Sequence, residues 1–70
     1  MIPSPKKVGA RLAALRKKKG ITKADMARAC GVSRQAYWMY EQGERTPADS
    51  VKKAIADTYG VTVDSIFFKD

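Results

Sequence analysis

Residues 21–41 read ITKADMARACGVSRQAYWMYE and contain the signals for two short helices. Thr22 is an N-cap residue, and Asp25 three positions later completes a capping box in its aspartate form. Gly31 ends this helix as a left-handed C-cap, and Ser33 caps the next helix only two residues later. Because the chain must change direction within a few residues, the segment predicts a helix-turn-helix.

A first helix precedes this segment. Ser4 is placed to cap it, Pro5 takes its first position, and it should run to about Lys19. Since two prolines fall in the first five residues, we expect residues 1–5 to form an extended arm and residues 6–70 to form a single domain. The basic side chains of the first helix are expected on its outer face: Lys6, Lys7, Arg11, Arg16, Lys17, Lys18 and Lys19.

Two more helices follow. Thr46 should cap the fourth helix, with Pro47 at its first position and Asp49 completing a second capping box. Its inner face is predicted from spacings of three and four residues to consist of Ala48, Val51, Ile55 and Tyr59. Its outer face should carry Lys52, Lys53 and Asp57. Thr62 then caps a short fifth helix through Ile66 or Phe67, so the sequence predicts an all-α, compact five-helix bundle.

Composition limits the kinds of partner and chemistry. Fourteen Lys and Arg against seven Asp and Glu give a net charge of +7, which favours nucleic acid first and an anionic membrane surface second. No apolar run could span a bilayer, and the N-terminus lacks a signal-peptide core, so we expect a cytoplasmic protein. With one cysteine and no histidine, no metal site, cofactor or catalytic centre is expected.

The third helix has two chemically different faces when residues are placed about 100° apart. Ala36, Tyr37 and Tyr40 should point inward, with the tyrosine hydroxyls reaching the surface. The outer face combines a guanidinium, two amides and large apolar groups: Arg34, Gln35, Trp38, Met39 and Gln42. Arginine can bind guanine O6 and N7, glutamine can bind adenine N6 and N7, and a thioether can lie against a thymine methyl group. This face therefore has the chemistry needed to read bases.

Short motifs with matching spacing run through most of the chain. They are Leu15-Arg16, Gly20-Ile21-Thr22, Met26-Ala27, Gly31-Val32-Ser33-Arg34-Gln35, Tyr40-Glu41-Gln42-Gly43, Thr46-Pro47 and Gly60-Val61-Thr62. From about Lys6 to Phe67 the chain resembles the phage-repressor and Cro-like helix-turn-helix family, also called XRE. The resemblance implies a lambda-repressor-like domain of phage or bacterial type that regulates transcription as a repressor. It also implies a homodimer on a pseudo-palindromic operator in double-stranded DNA.

The resemblance implies roles for individual residues. Base contacts fall on Arg34, Gln35 and Met39. Lys23 stands where the family usually has a glutamine, and we expect this point charge to hold a phosphate. The other residues expected to contact the DNA backbone are Gln42, Arg45 and Thr46 in and after the third helix, and Thr22 and Ser33 at helix N-termini. Arg16 and Glu41 match an ion pair that ties the first helix to the third.

Two features leave alternatives open. Trp38 is assigned to the DNA backbone, but it could equally join a subunit interface or fold over a neighbouring side chain. Phe67 and Phe68 are adjacent, so a short helix cannot bury both; one is a candidate for a dimer interface or is simply exposed at a frayed terminus. The alternative function is a protein-interaction module of the same fold, an antitoxin or antirepressor partner anchored by such apolar groups.

Overall fold

The computed structural model describes residues 2–70, so Met1, the first residue of the expected arm, lies outside the described residues. The regular elements are α1 (Pro5–Lys19), α2 (Lys23–Cys30), α3 (Arg34–Gln42), α4 (Asp49–Tyr59) and a π-helical C-terminal turn (Asp64–Phe68). Within residues 2–70 no element is a strand, and the prediction of an all-α fold with five helical elements is confirmed. None of these helices is long and apolar enough to cross a membrane.

The first three helices begin at the residues that the cap signals predict. The Ser4 hydroxyl accepts a hydrogen bond from the Lys7 amide at 3.2 Å. The Thr22 hydroxyl accepts one from the Asp25 amide at 3.0 Å, while the Asp25 carboxylate accepts one from the Thr22 amide at 3.2 Å. Pro5 is the first residue of α1, as the sequence predicts, and Pro3 is buried against the fold.

The start of α4 differs from the prediction. Ala48, not Thr46, is the N-cap, its backbone is extended, and no side chain caps the helix. Pro47 is buried, whereas Thr46 and Ala48 are exposed. Burial of the proline ring therefore keeps the chain extended beyond Thr46 to Ala48. Tertiary packing here outweighs the local preference of Thr46 for a capping position. Asp49 is the first residue of α4 rather than the third, so it does not form the second capping box, and its carboxylate lies 3.7 Å from the Lys52 ammonium.

Each element contributes one large, fully buried side chain to the core. These residues are Leu12, Met26, Tyr37, Ile55 and Ile66. Burying a large apolar side chain stabilises a fold by about 1.5–3 kcal/mol, so the five elements depend on one shared cluster. Removing any one element would expose that cluster to water.

Two basic side chains placed on outer faces by the sequence instead pack against the C-terminal turn. The Arg11 guanidinium donates hydrogen bonds to the carbonyls of Ser65 at 3.2 Å, Ile66 at 3.0 Å and Lys69 at 2.6 Å. The Lys52 side chain is only 14% exposed, and its ammonium lies 5.5 Å and 5.1 Å from the ring centroids of Phe67 and Phe68. Carbonyl oxygens and aromatic faces both attract a cation, so these two charged groups hold the C-terminal turn against α1 and α4.

The C-terminal turn separates the two adjacent phenylalanines. The Thr62 hydroxyl accepts a hydrogen bond from the Ser65 amide at 3.1 Å, in agreement with its predicted capping role. Phe67 is buried in the core of the same chain, so it is not available for a dimer interface. Phe68 is 44% exposed, and its role in such an interface stays a prediction.

Candidate nucleic-acid interface

The turn between α2 and α3 is closed by backbone hydrogen bonds. Gly31 adopts a left-handed conformation with φ of 71°, which strains any residue with a Cβ atom. The Val32 amide then donates to the Ala27 carbonyl at 3.0 Å. The Ser33 hydroxyl accepts from the Ala36 amide at 3.0 Å and starts α3. These contacts fix the direction in which α3 leaves α2.

The inner face of α3 is held by aromatic packing. Ala36, Tyr37 and Tyr40 are buried, as predicted, but the Tyr37 hydroxyl does not reach the surface. It forms a 2.6 Å hydrogen bond with the Tyr59 hydroxyl. Burial raises the pKa of both tyrosines, that of Tyr59 to about 12. Both hydroxyls therefore stay neutral, and their hydrogen bond joins α3 to the end of α4.

Arg16 and Glu41 form a two-pronged ion pair between α1 and α3. The Arg16 Nε donates to Glu41 Oε2 at 2.7 Å, and its Nη2 donates to Oε1 at 3.3 Å. The two side chains are only 13% and 4% exposed. The hydrogen bond to Glu41 raises the pKa of Arg16, so the guanidinium stays charged at neutral pH. The Arg16 Nη1 also donates to the Ile21 carbonyl at 3.1 Å, which links α1 and α3 to the chain just before α2.

Gly9 allows α1 to approach α3 closely, a role that the sequence analysis did not assign. A Cβ atom at this position would overlap the backbone carbonyl oxygen of Glu41 and would lie 2.9 Å from that of Tyr40. Glycine is unfavourable inside a helix by about 1 kcal/mol relative to alanine, so a glycine in mid-helix is itself a signal of close packing. The partner helix cannot be identified from that signal alone.

The outer face of α3 borders an open cleft of about 610 Å³ between α3 and the start of α2. Arg34, Gln35 and Trp38 line it from α3, and Thr22 and Lys23 line it from α2. Arg34, Gln35, Trp38 and Gln42 are exposed, whereas Met39 is half-buried and does not line the cleft. The structure thus brings together five of the predicted DNA-contacting residues in one concave surface.

A second group of predicted contact residues lies beyond the other end of α3. Gln42, Arg45 and Thr46 are exposed at the end of α3 and in the following loop, outside the cleft. Gly43 turns the chain here with φ of 78° and packs closely on the backbone of Lys6, which lies 3.0 Å from the position of an added Cβ. The loop is therefore supported by the start of α1.

The electrostatics of the cleft favour an anion. The first turn of α3 contains no acidic residue, and its leading amides are oriented outward as in every helix N-terminus. Asp25 is engaged in the α2 capping box, and the hydrogen bond from the Thr22 amide lowers its pKa. Neither Lys23 nor Arg34 forms an ion pair within the part of the chain that the structure describes. Two cations therefore face the cleft without neutralising partners.

Solved structures resemble this fold over nearly its whole length. The P22 c2 repressor protein in complex with synthetic operator 9T is 28% identical, with a TM-score of 0.85 over 90% of this chain and 96% of that chain. The restriction-modification controller protein C.AhdI from Aeromonas hydrophila is 25% identical, with a TM-score of 0.83 over 90% and 96%. The DNA-binding domain of BldD is 26% identical, with a TM-score of 0.74 over 91% and 93%.

The family assignment follows from a sequence model rather than from one relative. No curated protein matches this sequence. The model described as a helix-turn-helix domain matches residues 7–66, which include α2, α3 and α4 in full, α1 except its first two residues, and the first three residues of the C-terminal turn. The resemblance expected from the sequence motifs is thereby confirmed, and the chain belongs to the helix-turn-helix domain family.

Proposed function

We propose that this chain is a transcriptional repressor that binds double-stranded DNA sequence-specifically by placing α3 in the major groove. The observation that carries the proposal is the cleft in which exposed Arg34 and Gln35 lie beside Lys23. A major groove about 12 Å wide admits an α-helix. The operator complex of the similar P22 c2 repressor supports DNA as the partner.

Base recognition is assigned to three side chains on α3. Arg34 and Gln35 occupy the first two positions of the helix and are exposed, so both can extend towards base edges. Arginine matches the two acceptors of guanine, and glutamine matches the donor and acceptor of adenine. Met39 is half-buried and would add an apolar contact near the middle of the recognition surface.

Phosphate contacts are assigned to two flanking groups. On the cleft side, Lys23 supplies a charge, and the helix N-termini that follow Thr22 and Ser33 supply backbone amides. On the loop side, the exposed residues are Gln42, Arg45 and Thr46. Phosphate contacts at both sides would fix the orientation of α3 in the groove without reading sequence.

The proposed active form is a homodimer in the cytoplasm, each copy reading one half of a pseudo-palindromic operator. The half-sites would lie about 34 Å apart, one turn of DNA. Exposed Ile2 and Phe68 line one small pocket of about 140 Å³ and supply apolar surface for a second copy. Sedimentation of the free protein over a range of concentrations tests this assembly, and a monomer at every concentration, both free and on DNA, would contradict it.

The test of the proposed function is selection of duplexes from a random pool at two salt concentrations. We expect a two-fold symmetric consensus. Gln35→Ala should weaken binding to that consensus by about 1–3 kcal/mol while leaving binding to unrelated DNA nearly unchanged.

Gln42→Ala is the matched control, because it removes the same chemical group from the other end of α3. Since we assign Gln42 to a phosphate, its loss should lower the affinity for all sequences alike. Equal affinity of the wild-type protein for every duplex would disprove the proposal. A uniform loss in Gln35→Ala would disprove only the role of that residue.

A further inference from the structure

We propose that Trp38 is a specificity-determining residue that recognises the C5-methyl group of a thymine in the major groove. This inference rests on the proposed function, because it requires α3 to lie in that groove. It assigns to the indole a base contact in place of the backbone contact expected from the sequence. The ligand chemistry is that of a 5-methylpyrimidine.

The position of Trp38 places it beside the two polar residues proposed to read bases. Trp38 follows Gln35 by three residues and Arg34 by four, so the three side chains share one side of α3. All three line the same cleft. A DNA duplex that reaches Arg34 and Gln35 must therefore also meet the indole ring.

The indole ring is accessible to a ligand. Trp38 is 42% exposed, the highest value for any large apolar side chain in the four α-helices of residues 2–70. The cation–π contacts found within those residues both involve Lys52, so no cation covers this ring. Nor does the indole N–H donate to any acceptor within the described chain. Met39, the other apolar candidate, is half-buried and lies outside the cleft.

The chemistry of the ring favours a methyl group over a phosphate. The thymine methyl is the apolar group that base pairs present in the major groove, and it is absent from the other three bases. An indole offers a broad apolar face with few rotatable bonds, so it can cover a methyl group at small entropic cost. A phosphate placed on that face would lose hydration without gaining a charge partner, whereas Lys23 in the same cleft can supply one.

The experiment uses the duplex consensus selected from the random pool. Each thymine is replaced in turn by deoxyuridine, which removes the methyl group and leaves the hydrogen-bonding edges unchanged. For the wild-type protein we expect at least one thymine in each half-site where this change weakens binding about fourfold, the effect of leaving one methyl group unburied. Affinities are measured for the wild type, Trp38→Ala, Trp38→Phe and Met39→Ala, with folding checked by circular dichroism.

The variants separate the possible explanations. In Trp38→Ala the thymine and uracil duplexes should bind equally at that position. Met39→Ala removes the apolar contact assigned to Met39, so it should lower the affinity for both duplexes but retain the difference between them at that position. Trp38→Phe keeps an aromatic ring without the N–H group and should also retain it. Uracil effects that persist in Trp38→Ala at every sensitive position would overturn the proposal. So would the loss, in Trp38→Phe or Met39→Ala, of the uracil effect at the position that Trp38→Ala abolishes. A consensus without any uracil-sensitive position would overturn this inference alone, whereas the absence of a consensus would overturn the proposed function and this inference together.

Discussion

Gly9→Ala tests whether the close approach of α1 and α3 positions the proposed recognition helix. Helix propensity alone predicts that alanine stabilises the protein by about 1 kcal/mol. Packing predicts the opposite, because the added Cβ would overlap the Glu41 carbonyl oxygen and lie 2.8 Å and 2.9 Å from the Glu41 carbonyl carbon and the Tyr40 carbonyl oxygen. These are backbone atoms, so no change of rotamer relieves the contact.

The balance of these two effects gives the expected magnitude. Overpacking against a rigid neighbour costs up to about 3 kcal/mol. After the gain in helix propensity is subtracted, we expect Gly9→Ala to lower the free energy of unfolding by about 2 kcal/mol. For a chain of this size, that corresponds to a fall in Tm of roughly 8–16 °C.

Urea and thermal unfolding measure the effect, and Ala14→Gly provides a control in the same helix. Ala14 is exposed, so its replacement should cost only the propensity difference of about 1 kcal/mol. Gly9→Ala should also reduce specific DNA binding under conditions where the variant is folded, because separating α1 from α3 disturbs the Arg16–Glu41 pair. A Gly9→Ala protein as stable as the wild type, or more stable, would show that the helices can separate freely and would refute this reasoning.

Three further substitutions, two of them with a matched control substitution, test charged groups. Arg16→Met should lower the free energy of unfolding by about 3–5 kcal/mol, because it leaves the Glu41 carboxylate buried and unpaired. The control Arg28→Met breaks an exposed pair and should lower the free energy of unfolding by less than about 1 kcal/mol in the same urea titration. The pKa of Asp25 in the folded protein is lowered from its usual value of 3.8. The ionised carboxylate therefore stabilises the fold above pH 3.8, and this contribution is lost as the pH falls through the folded-state pKa. The difference in free energy of unfolding between the wild type and Asp25→Asn should shrink in acid, and a difference that did not shrink would contradict this. Lys23→Ala should make the plot of the logarithm of the DNA-binding constant against the logarithm of the salt concentration less steep by about 0.9. The control Lys53→Ala on α4 should leave this slope unchanged. Equal slopes for the two variants would remove Lys23 from the phosphate contacts.

The helices that could be predicted from sequence are those whose ends are determined locally. Ser4, Thr22 and Ser33 each cap a helix through an amide only three residues away. Gly20 and Gly31 end α1 and α2 with positive φ in open space, where no tertiary contact competes. Such interactions lie within one helical turn, so the order of residues is enough to identify them.

The errors in the prediction arise where distant parts of the chain meet. Thr46 has the features of an N-cap, but the burial of Pro47 delays α4 until Asp49. Helical spacing placed Lys52 outside, yet the returning C-terminal turn supplies two aromatic rings that lie against its ammonium group. Periodicity identifies the side of a helix but not what the rest of the chain places against it.

The same distinction explains which parts of the candidate site could be found in advance. The division of α3 into two faces follows from periodicity, because Tyr37 and Tyr40 recur at helical spacing and are buried. The meeting of Lys23 with Arg34 in one cleft depends on the α2–α3 turn, and only the family resemblance anticipated that arrangement.

Three contacts hold the inner side of α3 to α1 and α4. Gly9 brings the two backbones together, Arg16 and Glu41 fix their rotation, and the Tyr37–Tyr59 hydrogen bond ties the same helix to α4. A buried ion pair contributes little net stability compared with apolar residues of similar size, because desolvation offsets most of the attraction. Its two-pronged geometry nevertheless restricts the orientation of α3 more closely than apolar packing can. Base recognition depends on the positions of hydrogen-bond donors and acceptors on the outer face of α3. We infer that these contacts mainly fix the position of that face and contribute less to the stability of the fold.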